Sequence, residues 1–308
     1  MSKNRNSRNS RRRSSAKPEG GDLSRNQFFR LLGSGATLLG TAAHGSAQVT
    51  TGTVRLSSVV TPKEGGLYDD LLPDFEKQTG YHVELTTGNE DVYGPARAGQ
   101  ADIVISHYGH REVEAFVSDG FGLWPRTVFF NQLALLGPPD DPARVRGVGN
   151  LLDAYRRIAL SRTPYIVNDI EGLKYLGQIL WNAAGRPDQS AWYSDEGLRE
   201  QDALAAAVRK GGYVLWGLTP FLTSQQTDRV NLEPVFLNDS LLQRIMVSIV
   251  VKPEKVPGVN VQGATALQNY LLSPATQARM HNFRLPGIDD QIWWPAGRDN
   301  LAVYLPRE

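Results

Sequence analysis

The sequence predicts an α/β fold with two lobes, each a sheet flanked by helices, joined by two crossing strands. Segments with strand and helix patterns alternate along the chain, which is typical of parallel sheets covered by helices. Two apolar segments, residues 127–136 and 241–251, are longer than an ordinary strand. The chain has 308 residues, 41% of them hydrophobic, which is enough for two separate cores.

The two crossing segments predict the domain boundaries. Residues 48–135 and 246–308 form a discontinuous lobe 1, and residues 136–245 form lobe 2. In open α/β sheets, ligands bind at the carboxyl ends of the strands. We therefore expect a ligand site in a cleft between the lobes, which close on the ligand by hinge bending.

The elements of the first part follow from local patterns. Short β-rich runs predict strands, and apolar residues at helical spacing predict helices. Gly80 ends the first long helix because glycine readily adopts the left-handed conformation found there. The expected elements are strand 54–59, helix 66–79, strand 81–86, helix 90–98, strand 101–106, helix 112–118 and strand 127–136.

The same criteria apply to the rest of the chain, which closes with an aromatic segment. The expected elements are helix 149–160, strand 164–167, helix 170–184, helix 200–210, strand 212–216, strand 241–251, helix 261–272 and helix 274–283.

Residues 1–47 have the pattern of an export leader. They contain nine basic and two acidic residues, a net charge of +7, which leaves −6 for the remainder of a chain whose total is +1. The apolar run 31–43 is too short to span a bilayer, and small residues precede Gln48, as before a signal-peptide cleavage site. Residues 24–30 (SRNQFFR) resemble a twin-arginine signal with Asn26 in place of the second arginine.

This leader predicts a periplasmic protein, although a disordered cytoplasmic tail stays open as an alternative. The acidic body argues against a nucleic-acid partner. The chain has no cysteine, which excludes disulfides, thiolate metal sites and cysteine nucleophiles.

Catalytic and metal-binding patterns are weak. No Ser/His/Asp set and no phosphate-binding loop is recognisable, so we predict neither an enzyme nor a cofactor. His107 and His110, near Glu112, have a spacing that could ligate a divalent metal. On a turn this spacing fixes no geometry, and we predict no metal site.

Three turns that follow predicted strands carry acidic residues where helices begin. A polar cap followed by Glu three residues later is a capping-box pattern, which satisfies backbone N–H groups at a helix start. Two unit charges about 4 Å apart repel by about 4 kcal/mol at an effective dielectric of 20. These turns therefore disfavour an oxyanion. Glu171 is either a plain capping residue with no ligand role or, with Glu90, Asp91 or Glu64, part of a site for a cationic or hydroxyl-rich ligand. The acidic turns contain Thr61 with Glu64, Asn89 with Glu90 and Asp91, and Asn168 with Glu171.

Several segments resemble the tungstate-binding proteins of ABC importers. The most specific are LLPDFEKQTG (residues 71–80) and AWY (191–193), and the resemblance extends from about Val54 to Arg298. It implies a periplasmic-binding-protein-like fold and a protein that captures an oxyanion for a membrane permease.

The ligand-contacting turns of this family fall on four segments of the chain. Thr61 keeps one hydroxyl, Asp169 and Gly172 keep the family's Asp and Gly, and Val167 replaces its Arg. Tyr68, Tyr93, Tyr108, Tyr175 and Trp216 lie near these turns and could stack on an organic ligand. The candidate ligand-binding residues are Thr61, Asn89, Glu90, Asn168, Asp169, Glu171, Gly172, Lys174 and Trp216.

The function we expect is an exported solute-binding protein, a monomer, that captures a small ligand in the interlobe cleft and delivers it to an ABC permease. The acidic turns indicate that the ligand is not a simple oxyanion. The alternative that stays open is a protein of the same fold with a degenerate ligand site, which binds a partner or acts as a sensor.

Overall fold

A computed structural model describes residues 52–88, 91–109 and 111–296. The predicted leader, and with it Asn89, Glu90 and His110, lies outside the described residues. None of the described helices is both long and apolar enough to cross a bilayer.

The first part of the described chain alternates strands and helices, as expected. Its elements are β1 (Gly52–Val59), α1 (Thr61–Glu64), α2 (Leu67–Thr79), β2 (Tyr81–Gly88), α3 (Gly94–Arg97), β3 (Ile103–His107), α4 (Arg111–Ser118) and β4 (Arg126–Gly137).

The second part contains the remaining elements. They are α5 (Leu151–Ser161), β5 (Tyr165–Ile166), α6 (Glu171–Ala183), β6 (Tyr193–Ser194), α7 (Glu200–Lys210), β7 (Tyr213–Gly217), α8 (Leu218–Ser224), β8 (Glu233–Phe236), β9 (Gln243–Val250), α9 (Val261–Leu271), α10 (Pro274–Asn282) and β10 (Trp294–Pro295).

Most boundaries agree with the predictions to within a few residues, because local capping sets them. Gly80 has φ 75° and ends α2, and Ser273 caps α10 through Thr276 N. The predicted helix 90–98 is shorter in the structure, where it covers only Gly94–Arg97. The short elements α1, β6, α8, β8 and β10 were not predicted, since none has enough residues to show a period.

Two sheets form the centre of the fold and share β4. In the first sheet, β1 is parallel to β2 and β3, while β9 is antiparallel to β3 and β4. In the second sheet, β5 is parallel to β6 and β7, while β7 and β8 are antiparallel to β4. The sheets are therefore mixed, not parallel throughout, because β4 and β9 run against their neighbours. This is a mixed α/β fold of two lobes.

The hydrophobic core is divided in the same way. One cluster takes its buried residues from 130–242 together with Trp294. Two further clusters, on the two faces of the first sheet, take theirs from 54–129 and 246–293. The predicted lobe boundaries at 135/136 and 245/246 stay a prediction.

Candidate functional site

The candidate site lies where strands of both sheets end and helices begin. Helix α1 follows β1 of the first sheet, and α8 follows β7 of the second, and the two helices pack together. The approach is close, since a Cβ added at Gly65 would lie 2.7 Å from Cγ2 of Thr219. The carboxyl ends of strands from the two sheets thus face a common region, as expected for a ligand site.

The capping boxes predicted at two of the turns are wrong. The N-cap of α1 is Val60 and that of α6 is Ile170. Neither N-cap side chain accepts a hydrogen bond from a backbone N–H group of its helix. Thr61 is the first residue of α1, and Glu171 is an exposed first residue of α6. Each helix therefore begins one or two residues away from the predicted cap, and the backbone N–H groups of α6 are not covered by Asn168.

Asn168 has a different role from the one predicted. It is buried, 3% exposed, and its Oδ1 accepts a hydrogen bond of 3.0 Å from the backbone N of Glu200, the first residue of α7. Its side chain therefore caps a helix 32 positions further along the chain. Only the packing of β5 against the loop before α7 brings these two residues together.

A small cavity lies beside Asn168. Asn168 Nδ2 and Trp181 Nε1 are buried donors with no hydrogen-bond partner among the described residues, and both side chains line this cavity with Gly177. Its volume is about 10 Å³. A cavity of roughly 10–15 Å³ holds one water molecule. The cavity beside these two side chains therefore has room for about one water molecule.

The charge of Lys174 is balanced within the protein. Its Nζ donates to Oδ1 of Asp169 at 2.9 Å and to Oδ1 of Asp195 at 3.1 Å. These two hydrogen bonds raise the pKa of Lys174 above its usual value. Asp169, a candidate ligand residue, is thus held in an ion pair.

The most informative site residue was missed by the sequence analysis. Arg244, in β9, places its guanidinium against Gly172: a Cβ added at Gly172 would lie 2.7 Å from Nη1. The guanidinium therefore lies at the first turn of α6. Burial lowers the pKa of Arg244 to about 10. The signal in the sequence was a single charged residue within the apolar run 241–251.

The carboxylates of Glu64 and Glu200 interact electrostatically. Burial and the carboxylate of Glu200 raise the pKa of Glu64 above its usual value. Glu64 belongs to α1 beside the first sheet, and Glu200 opens α7 beside the second. Glu64 and Glu200 thus belong to helices beside different sheets.

The candidate aromatic residues separate into two groups. Trp216, Tyr68 and Tyr93 are buried, with at most 5% of each exposed, and belong to the cores. Tyr175 is 65% exposed on α6, and Tyr108 is 48% exposed beside α4. Trp216 and the two buried tyrosines thus pack the fold, and their rings do not lie open to a stacking ligand.

The described residues contain no group of three His, Cys, Asp or Glu side chains arranged to hold a metal ion.

Asp91 accepts hydrogen bonds from the backbone N of Tyr93 and of Gly94. In the third acidic turn, a carboxylate therefore does bind backbone N–H groups at a helix start.

Comparison with known proteins agrees with this architecture. The family model for bacterial extracellular solute-binding proteins matches residues 59–283. A Haloferax volcanii protein assigned as the anion-binding component of an ABC transporter is 30% identical over 88% of this chain and 80% of its own length.

Two further relatives bind tungstate. The tungstate-binding protein TupA of Peptoclostridium acidaminophilum is 27% identical over 74% of this chain and 80% of its own length. The solved structure of TupA from Desulfovibrio alaskensis has a TM-score of 0.71 and 26% identity, covering 80% of this chain and all of that one.

Proposed function

Because this chain belongs to the bacterial extracellular solute-binding proteins, we propose that it captures a small anion in the cleft between its lobes for an ABC permease. The observation that carries the proposal is the guanidinium of Arg244 at the first turn of α6. Backbone N–H groups at a helix start and a guanidinium both donate hydrogen bonds to oxyanions and carboxylates. The relatives that bind tungstate or other anions support the same class of ligand.

The balance of charges supports an anion over the cationic ligand expected from the sequence. Glu171 is exposed, so its repulsion of a bound anion is near the value in water, about 1 kcal/mol at 4 Å, not the 4 kcal/mol of a partly buried pair. A hydrogen bond to a charged group contributes about 1.5–3 kcal/mol. The attraction to Arg244 is therefore larger than the repulsion by Glu171.

The lobe division that we propose is residues 48–135 with 246–308, and residues 136–245. The separate hydrophobic clusters support it, as does β4, whose first half pairs with β9 and whose second half pairs with β7. In this proposal, ligand binding closes the lobes by bending at the crossing segments, and the closed monomer docks on the permease.

Calorimetry tests the proposed ligand class. We expect the full chain to bind at least one of tungstate, molybdate, sulfate and small dicarboxylates, and the variant Arg244→Gln to bind it about 10- to 150-fold more weakly, the equivalent of 1.5–3 kcal/mol. Arg157→Gln, on the exposed side of α5, is the matched control and should bind normally. Binding only of amines or amino-acid cations would contradict the proposal, and no binding of any solute would favour the partner-binding alternative.

The proposed periplasmic location requires its own test. We propose that residues 1–47 direct export, with Arg25 as the remaining arginine of a twin-arginine-like signal. Replacing Arg25 by Lys should then reduce the periplasmic yield of the full chain. An unchanged yield would assign export to the general secretory route.

A further inference from the structure

The side chain of Asn131, in β4, carries a buried hydrogen-bond acceptor that the protein itself leaves unused. Only 4% of the residue is exposed, and its Oδ1 has no hydrogen-bond partner among the described residues. Folded proteins satisfy nearly all buried polar atoms, because an oxygen that loses its water on folding and gains no donor destabilises the structure. The Oδ1 of Asn131 therefore indicates an occupant that donates a hydrogen bond.

Asn131 lies directly opposite Arg244 in the first sheet, where the two residues are paired in the antiparallel ladder of β4 and β9. Side chains at paired positions point to the same face of a sheet, with Cβ atoms about 4.5–5.5 Å apart. The guanidinium of Arg244 reaches Gly172, so this face of the two strands is turned towards the first turn of α6. The acceptor of Asn131 is therefore next to the residue that provides the cation of the proposed anion site.

The polar pair of Asn131 and Arg244 separates two hydrophobic clusters. Phe129 and Met246, the paired positions two residues away on the same strands, are fully buried in a cluster of the first sheet. Leu133, two residues further along β4, belongs to the cluster that takes its residues from 130–242. Residues two apart on a strand share a face, so an apolar side chain at position 131 would join this packing. An amide without a partner does not improve it, which favours a role for Asn131 in binding.

The two side chains together distinguish between classes of anion. A guanidinium donates hydrogen bonds and accepts none, so it suits any carboxylate or oxyanion. An amide oxygen only accepts, and an oxyanion without a proton offers it no donor. A hydroxyl group donates as well as accepts. An anion that carries an O–H group therefore satisfies both residues, with its charge at Arg244 and its hydroxyl at Asn131.

We propose that Asn131 makes the anion site selective for anions that carry a hydroxyl group, either a hydroxycarboxylate or a protonated oxyanion such as hydrogen phosphate. The inference rests on the proposed function, because Arg244 attracts both kinds of anion and Asn131 discriminates between them. A site built to bond a hydroxyl rejects the analogue that lacks it, since the buried polar group of the protein then stays unsatisfied.

Matched pairs of anions test this selectivity by calorimetry on the full chain. Malate is succinate with one added hydroxyl, and at neutral pH phosphate carries a hydroxyl that the equally tetrahedral sulfate lacks. We expect the hydroxyl-bearing member of at least one pair to bind about 5- to 150-fold more tightly, the equivalent of about 1–3 kcal/mol. The pair that shows the preference identifies the source of the hydroxyl, an organic acid or inorganic phosphate. Equal or weaker binding of both malate and phosphate would overturn the proposal.

Asn131→Leu removes the amide at nearly unchanged size. The preference within a pair should then fall towards one, whereas Asn182→Leu, the same change at an exposed position of α6, should keep the full preference. Denaturant unfolding without ligand is the second measurement. We expect Asn131→Leu to be at least as stable as the parent, since it replaces an unsatisfied acceptor by an apolar side chain between two hydrophobic clusters. Lower stability with an unchanged preference would assign Asn131 a structural role and overturn the proposal.

The two anion proposals fail in different ways. Arg244→Gln should weaken both members of a pair by a similar factor, because both place their charge at the guanidinium. That result, together with equal affinities within each pair in the parent, keeps the anion site and overturns its selectivity. No anion binding by the parent, or no effect of Arg244→Gln, overturns the proposed function and removes the premise on which the selectivity rests.

Discussion

The Nη1 atom of Arg244 lies 2.7 Å from the position that a Cβ at Gly172 would occupy. The absence of a side chain at Gly172 therefore allows a cation from β9 to reach the first turn of α6. Gly172 also matches a glycine in the tungstate-binding family, while the family's own arginine position holds Val167. In the proposed anion site, the positive charge beside Gly172 therefore comes from another strand, β9.

Gly172→Ala separates folding stability from ligand binding. The added methyl displaces the end of a flexible arginine side chain, so we expect the free energy of unfolding to fall little or to rise, since Ala favours a helix by about 1 kcal/mol over Gly. Anion affinity should fall, as measured by calorimetry. Gly149→Ala, where an added Cβ meets nothing within 4 Å, should leave affinity unchanged. Unaltered affinity in Gly172→Ala would show that Arg244 does not contact the ligand.

Glu64→Gln should make the protein more stable at neutral pH. The folded-state pKa of Glu64 is raised by burial and by Glu200, so the folded state disfavours the carboxylate. The resulting destabilisation is absent below the unfolded pKa of about 4.3 and complete above the folded pKa. Chemical denaturation at several pH values should show a difference between variant and parent that grows as the pH rises through this window.

Asn168→Ala should lower both stability and ligand affinity. It removes the cap on the backbone N of Glu200, and loss of a helix cap costs about 0.5–2 kcal/mol. The control variant is Asn150→Ala. It removes the same kind of cap, because the Asn150 side chain accepts a hydrogen bond from the backbone N of Asp153 at the start of α5. Both variants should unfold at lower denaturant concentration, but only Asn168→Ala should bind anions more weakly. A similar affinity in the two variants would restrict Asn168 to a structural role.

Gly177→Ala tests whether the cavity beside Asn168 holds water. The new methyl would enter the cavity, where its nearest neighbour is Tyr165 Oη at 3.5 Å. Excluding a water that bonds Asn168 and Trp181 leaves buried donors unsatisfied, at about 1–3 kcal/mol each, which exceeds the gain of about 1 kcal/mol from helix propensity. We therefore expect a lower free energy of unfolding. A more stable variant would indicate a dry cavity.

Local patterns in the sequence were sufficient for most of the fold. Helical periodicity with Gly80 at its end predicted α2, and a long apolar run predicted β4, because both patterns are visible among residues close together in sequence. The sequence shows Arg244 as the single charged residue of an apolar run. It does not show which residues of other elements lie next to Arg244. The resemblance identified the family.

The sequence by itself determined the alternation of strands and helices, the family and the acidic character of the turns. Only the tertiary structure decided which groups lie next to one another. Lys174 contacts Asp169 and Asp195, Asn168 caps the start of α7, and Arg244 lies against Gly172. The physical reason is separation along the chain. A helix or strand is set by residues a few positions apart, whereas Gly172 and Arg244 are brought together by packing of whole elements, which no local pattern encodes.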